Sequence, residues 1–128
     1  MNLSTKIYTL LTSSLGFLTF NFVLSLPASA SITCEPGTIN KYSNGSLAGC
    51  ILAQDTTLQR YHPRSGTFTF SCKAQEYINF DPQGQFQSCR LVQEMEIRQG
   101  NAIEKCLAEY RVDVSENDNG LSVRCNRY

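Results

Sequence analysis

The sequence predicts an all-β protein: an antiparallel meander of repeated β-hairpins, forming a small barrel or two packed sheets and stapled by disulfides. Three observations carry this expectation. The segment 39–59 recurs without a gap at 78–98, all six cysteines follow an apolar leader, and Gly- or Pro-bearing turns separate short alternating runs.

The leader comes first. Lys6 is the only charged residue before Glu35, and Ile7 to Leu26 is apolar, diluted by Ser and Thr. Pro27 breaks the run, and Ala28-Ser29-Ala30 supplies the small residues of a cleavage site. These features predict a signal peptide over 1–30 and a single β-repeat domain over 31–128. The mature protein is then secreted or periplasmic, with no membrane association after cleavage. The chain balances 11 Lys/Arg against 11 Asp/Glu, so no basic excess points to nucleic acid.

Cys34, Cys50, Cys72, Cys89, Cys106 and Cys125 all follow the cleavage site. An even number in a small exported chain predicts a disulfide framework. No metal site is expected, because there is no C-x-x-C and His62 is the only histidine. No cofactor motif is present either.

The repeat supplies the elements in order. Ile39-Asn40 matches Ile78-Asn79, Asn44-Gly45 matches Gln83-Gly84, Leu47 matches Phe86, and Cys50 matches Cys89. Leu52 matches Leu91, Gln54-Asp55 matches Gln93-Glu94, and Leu58 matches Ile97. A worn third copy keeps Asn119-Gly120 and Cys125 at the same Gly-to-Cys distance, so the copies run about 34–59, 72–98 and 106–125. Asp81-Pro82-Gln83-Gly84 predicts a type I turn closed by a left-handed Gly84, because the fixed φ of Pro82 excludes type I′. Tyr42-Ser43-Asn44-Gly45 predicts the same turn. In the third copy, Glu116-Asn117-Asp118 is expected to widen the loop.

Phe68 and Phe70 alternate with Thr67, Thr69 and Ser71, and Tyr110, Val112 and Val114 alternate with Arg111 and Asp113, as strands do. Arg60–Gly66 reads as a loop between strands. Residues 101–110 have an Asn101/Glu104 helix-capping pattern, but correspondence with Thr67–Cys72 favours a strand. Leu47-Ala48-Gly49-Cys50 mimics a lipid-attachment signal, yet it lies well beyond the apolar leader, so Cys50 reads as a repeat position.

Two cysteine pairings respect the repeat. One is within each copy: Cys34–Cys50, Cys72–Cys89 and Cys106–Cys125. The other links Cys50–Cys72, Cys89–Cys106 and Cys34–Cys125. With Asp81 and Gln85 flanking the turn, Cys89 falls opposite Tyr77, about 17 Å along a straight ladder from Cys72. A disulfide needs Cα atoms within about 7 Å. Within-copy pairing therefore requires a bend before Tyr77, for which Lys73-Ala74-Gln75 is the candidate.

The segments Tyr42-Ser43-Asn44-Gly45-Ser46-Leu47 and Phe80-Asp81-Pro82-Gln83-Gly84-Gln85-Phe86 resemble the MORN-like hairpin repeats of proteins exported by bacteria. The usual second glycine is absent. The resemblance implies a non-catalytic binding or scaffold module without specifying a ligand.

Chemistry-bearing candidates are few. Arg60, His62 and Arg64 form a small basic loop, a candidate binding loop for an anion or an acidic partner. His62 with Ser65 or Ser71, and the pair Glu94/Glu96, are the candidates for hydrolytic chemistry, but no nucleophile-elbow motif accompanies them. Asn44-Gly45-Ser46 has the form of a glycosylation sequon. The expectation is an exported binding or structural module contacting a protein or cell-envelope component. The alternatives are a small secreted hydrolase, and a disulfide-rich inhibitor or toxin presenting Arg60–Gly66.

Overall fold

The computed structural model describes residues 31–127, so the expected signal peptide lies outside the described residues. Ten strands follow: β1 (Asn40–Lys41), β2 (Leu47–Ile51), β3 (Thr56–His62), β4 (Gly66–Cys72), β5 (Tyr77–Phe80), β6 (Phe86–Arg90), β7 (Met95–Gln99), β8 (Ala102–Cys106), β9 (Arg111–Asn117) and β10 (Gly120–Asn126). Residues 102–106 are strand, as their correspondence with the second copy requires. All pairing is antiparallel, and no sheet closes into a barrel.

Three hairpins stand side by side as a six-stranded sheet in the order β1-β2-β5-β6-β9-β10. Between successive hairpins the chain leaves this sheet to make a two-stranded ribbon, first β3–β4 and then β7–β8. The ribbons pack their apolar sides on the sheet. Phe70 of β4 meets Phe86 of β6 at 4.7 Å between ring centroids, and Phe80 stands edge-on to Phe86 at 6.5 Å. Ile97 of β7 is buried in the same core as Ile78, Val112, Val114 and Val123 of the sheet.

The turns obey their sequence chemistry. In the first two copies the glycine is left-handed, at φ 87° for Gly45 and 82° for Gly84. Gly84 N–H donates to the Asp81 carbonyl at 2.9 Å, and Asp81 N–H donates to Gln85 at 2.8 Å. Tyr42, Gly45 and Ser46 repeat this arrangement. The third hairpin differs from expectation. It is tight rather than widened, with Gly120 directly opposite Asn117 and Leu121 opposite Glu116. Gly120 is required there by packing as well as by its φ of 121°, since a Cβ would overlap the Ser65 hydroxyl.

A second correction concerns register. Phe80 faces Phe86, but Asn79 faces Ser88, so one extra residue bulges from β6. The first copy bulges at the same place, with Lys41 opposite Leu47 and Asn40 opposite Gly49. The bulge moves Cys89 from Tyr77 to the level of Ile78 and turns it inward. Cys50 faces Ile78, and Val112 faces both Cys89 and Cys125. One core row thus crosses the sheet as Cys50, Ile78, Cys89, Val112, Cys125.

Each row cysteine bonds within its own copy: Cys34–Cys50, Cys72–Cys89 and Cys106–Cys125, with Cα atoms 5.8, 5.7 and 5.6 Å apart. The bend that permits this follows each upstream cysteine at once. Glu35-Pro36-Gly37-Thr38, Lys73-Ala74-Gln75-Glu76 and Leu107-Ala108-Glu109-Tyr110 are the same turn, with positive φ at the third residue: 79°, 65° and 73°. Pro36-Gly37 suits that geometry, whereas Gln75 and Glu109 adopt it against the preference of an L-residue.

The turns stack copy on copy. Gln75 Nε2 donates to Glu35 at 2.7 Å, and at the equivalent level Lys73 Nζ donates to both Glu109 oxygens at 2.8 Å. Glu109 is held below its ordinary carboxylate range, first by the Lys73 hydrogen bond, with attraction to Lys73 and Arg90 adding to it. That contribution is therefore present above the ordinary value and is lost as pH falls through the lowered one.

Three outcomes follow. Gln75→Gly should change stability by less than about 1 kcal/mol, because relief of the left-handed backbone offsets the lost exposed bond to Glu35 and the added freedom of the unfolded chain; urea unfolding of the oxidised protein measures it. Graded reduction should break Cys72–Cys89 last, since its sulfur-bearing residues are 0% and 3% exposed while Cys34 and Cys125 are only half-buried. Replacing both Cys72 and Cys89 by Ser should then cost about 3 kcal/mol, read from the shift in denaturation midpoint.

Candidate functional site

The segment read as the loop Arg60–Gly66 is the end of one strand, a short turn and the first residue of the next strand. Arg60, Tyr61 and His62 belong to β3, and only residues 63–65 form the turn, closed by Ser65 N–H donating to His62 at 3.1 Å. Arg60 is 4% exposed. Its guanidinium donates to the Phe86 carbonyl at 2.6 Å and to Glu116 at 3.2 Å. His62 Nε2 lies 3.5 Å from Glu116, while its Nδ1 accepts from Arg64 N–H at 3.1 Å. Arg64 donates to the Asp118 carbonyl at 2.8 Å, and Leu121 N–H donates to Ser65 Oγ at 2.8 Å. The tip of β3–β4 therefore clasps the β9–β10 hairpin. Arg60, His62 and Arg64 are brought together, but Arg60 and His62 face the protein.

The acidic candidates are dispersed. Glu94 precedes β7 and reaches Lys105 at 3.5 Å, whereas Glu96 within β7 sits 3.8 Å from Arg98. Asp55, the repeat equivalent of Glu94, accepts from Ala74 N–H at 2.7 Å and so braces the bend after Cys72. All six cysteines are in disulfides, Cys50 included. Asn44 lies in the exposed first turn and donates to the Pro82 carbonyl at 2.9 Å.

A concavity takes in three of the sequence candidates, Arg64, Ser65 and Glu96. The ribbons are joined at their root, where Cys72 bridges Leu91 and Val92 N–H donates to the Ser71 carbonyl at 2.9 Å. Beyond that root β4 and β7 diverge and pair only with β3 and β8. The gap is a depression of about 330 Å³ lined by Thr67, Phe68, Thr69, Met95, Glu96 and Arg98. It runs into a second of about 360 Å³, bounded by Arg64, Ser65, Arg98, Gln99, Asn117 and Asn119. The two share Ser65, Phe68 and Arg98.

The walls of the slot are backbone edges. In an antiparallel ladder every second residue turns its N–H and C=O away from its partner. Ser71 does so in β4, as its bond to Val92 shows, and Thr69 and Thr67 follow by alternation. Opposite them, the two-residue turn Gly100-Asn101 closes β7–β8 at the Gln99–Ala102 pair, so Arg98 and Glu96 are the outward residues of β7. Among the described residues nothing hydrogen-bonds these outward groups. The nearby edge of β10 is different: Ser65 Oγ takes the Leu121 N–H, and Gln99 Nε2 donates to the Val123 carbonyl at 2.7 Å.

No family model, curated protein or solved structure matches the chain. Edge status is a property of topology, so no local pattern marks the two walls, although Arg64 and Glu96, both candidates from the sequence, lie on the lining.

The clasp generates one outcome. Arg60→Ala should destabilise the fold by about 2 kcal/mol or more, through lost packing and an unsatisfied buried Phe86 carbonyl. Glu116→Gln should cost less than about 1 kcal/mol, because that carboxylate is 55% exposed. Thermal denaturation of the two variants makes the comparison.

Proposed function

We propose that the protein is an exported binding module whose ligand seat is the slot between β4 and β7 with its extension toward β10. The observation that carries this reading is the pair of unpartnered backbone edges facing one concavity, with the guanidinium-bearing Arg64 and Arg98 at its wider end. An unpaired strand edge is a ready template for another chain, and a concavity that gathers polar groups is the usual form of a recognition site. Three disulfides suit an oxidising compartment outside the cytoplasm.

The same geometry speaks less for the two alternatives. His62 is engaged by Glu116 through Nε2 and by the Arg64 amide through Nδ1, and the Ser65 hydroxyl accepts from Leu121, so both candidate groups serve the clasp between the ribbon tip and β9–β10. The Arg60–Gly66 segment is clasped against β9–β10 rather than projecting as an inhibitory loop.

The test fills the slot. Arg98, whose side chain is 74% exposed, should tolerate Arg98→Trp without loss of fold. The mature wild-type protein and this variant are compared on glycan and peptide arrays, with circular dichroism as the control. A ligand retained by wild type and lost by Arg98→Trp is expected. Equal retention by both, or retention by neither, overturns the assignment.

A further inference from the structure

The geometry points to the occupant of this slot: an extended peptide segment of another protein, carrying a carboxylate, inserted as a strand between β4 and β7. The inference rests on the binding-module reading above and names the partner chemistry. Its first support is spacing. The outward residues are Thr67 and Thr69 on one wall and Glu96 and Arg98 on the other, each pair two residues apart. That is the repeat of an extended backbone, whose N–H and C=O groups point alternately to its two sides. One inserted strand can therefore bond both walls and join the two ribbons into a five-stranded layer, a two-sided form of β-augmentation.

The floor supports it next. Phe68 and Met95 line the slot from below, and Leu121 borders its continuation. Successive side chains of a strand alternate between faces, so the segment would place apolar residues inward and polar ones outward. Charge sets the remaining feature. Arg64 and Arg98 line the depression of about 360 Å³, whose lining holds no carboxylate, while Glu96 lines the other and reaches Arg98 only at 3.8 Å, with both side chains at least half exposed. Asp118 takes one of the five N–H donors of Arg64 and orients the group. A carboxylate on the peptide, as a side chain or chain end, completes this end of the site.

The neighbouring β10 edge is partly occupied, because Ser65 takes the Leu121 N–H and Gln99 donates to the Val123 carbonyl. The ribbons share a root at Cys72 and Leu91, and each is tied to the sheet by a disulfide, Cys72–Cys89 or Cys106–Cys125. These ties restrict the movement of both walls, which lowers the ordering cost of insertion.

The probe is a phage-displayed library of linear dodecapeptides panned on the mature protein, followed by synthesis of an enriched peptide. Enriched sequences should combine apolar alternation with Asp, Glu or a free C-terminus. Arg98→Gln should weaken binding by at least about tenfold, whereas Arg124→Gln, the same charge change outside the slot, should not. Thr69→Pro removes a slot-facing N–H without removing a ribbon hydrogen bond, and should abolish binding. On wild type, independent of any variant's folding, the bound peptide should slow exchange of the Thr67, Thr69, Glu96 and Arg98 amides at least about tenfold. A peptide that leaves those four amides unprotected, or binds Thr69→Pro as well as wild type, overturns the inference. A glycan lost on Arg98→Trp with no peptide enriched also overturns it, while leaving the binding module intact. No ligand of either kind sinks both.

Discussion

The structure depends on a single row of side chains across the six-stranded sheet. Cys50, Ile78, Cys89, Val112 and Cys125 lie at one level and face the core. Every second member is a half-cystine whose partner lies at the start of its copy, and for Cys72 and Cys106 that partner is the last residue of a ribbon. Apolar packing joins the two layers along one continuous core. The row does so covalently. Each ribbon of the second copy onward is tied at its end to the sheet, and the turn that follows each upstream cysteine must reverse the chain within four residues. That requirement explains why Gln75 and Glu109 accept left-handed backbone, where the first copy uses Gly37.

This constraint also separates what the sequence makes legible from what it hides. The hairpins, the left-handed glycines of the first two turns and the strand at 102–106 follow from repeat matching and turn chemistry, both local. The bulge does not announce itself as a turn does, but it has a sequence trace. Leu47 and Cys50 are three apart, as are Phe86 and Cys89, and two inward residues at an odd spacing require one extra residue between them. In the third copy Leu121, Val123 and Cys125 are evenly spaced, and no bulge occurs. The bend before Tyr77 is spelled by Pro36-Gly37 in the first copy, while Ala74-Gln75 and Ala108-Glu109 conceal it.

The candidate site was less legible, for a physical reason. Arg60, His62 and Arg64 form an evident cluster, but their role depends on Glu116 and Asp118, more than fifty residues away and brought near only by the layering of ribbon on hairpin. An arginine that looks like a ligand contact from its neighbours becomes a buried clamp once Phe86 offers its carbonyl. The slot was hidden differently. Thr67 to Thr69 and Glu96 to Arg98 read as ordinary half-buried strands, and nothing local reveals that each lacks a neighbour on one side.

Exposed sheet edges invite unspecific pairing, and this fold treats its edges unequally. At one end of the main sheet β1 has only two residues and carries Lys41. At the other, β10 has two outward groups taken by Ser65 and Gln99, side chains supplied by the tips of the two ribbons. Those same tips flank the wider end of the slot, so the contacts that close the β10 edge also set the mouth of the opening between β4 and β7. The charged Glu96 and Arg98 on β7 guard that inner edge against a second copy of the flat, apolar kind, without blocking its backbone. The edges of β4 and β7 thus differ from the two ends of the main sheet: charge borders them, but among the described residues no side chain occupies their outward backbone groups.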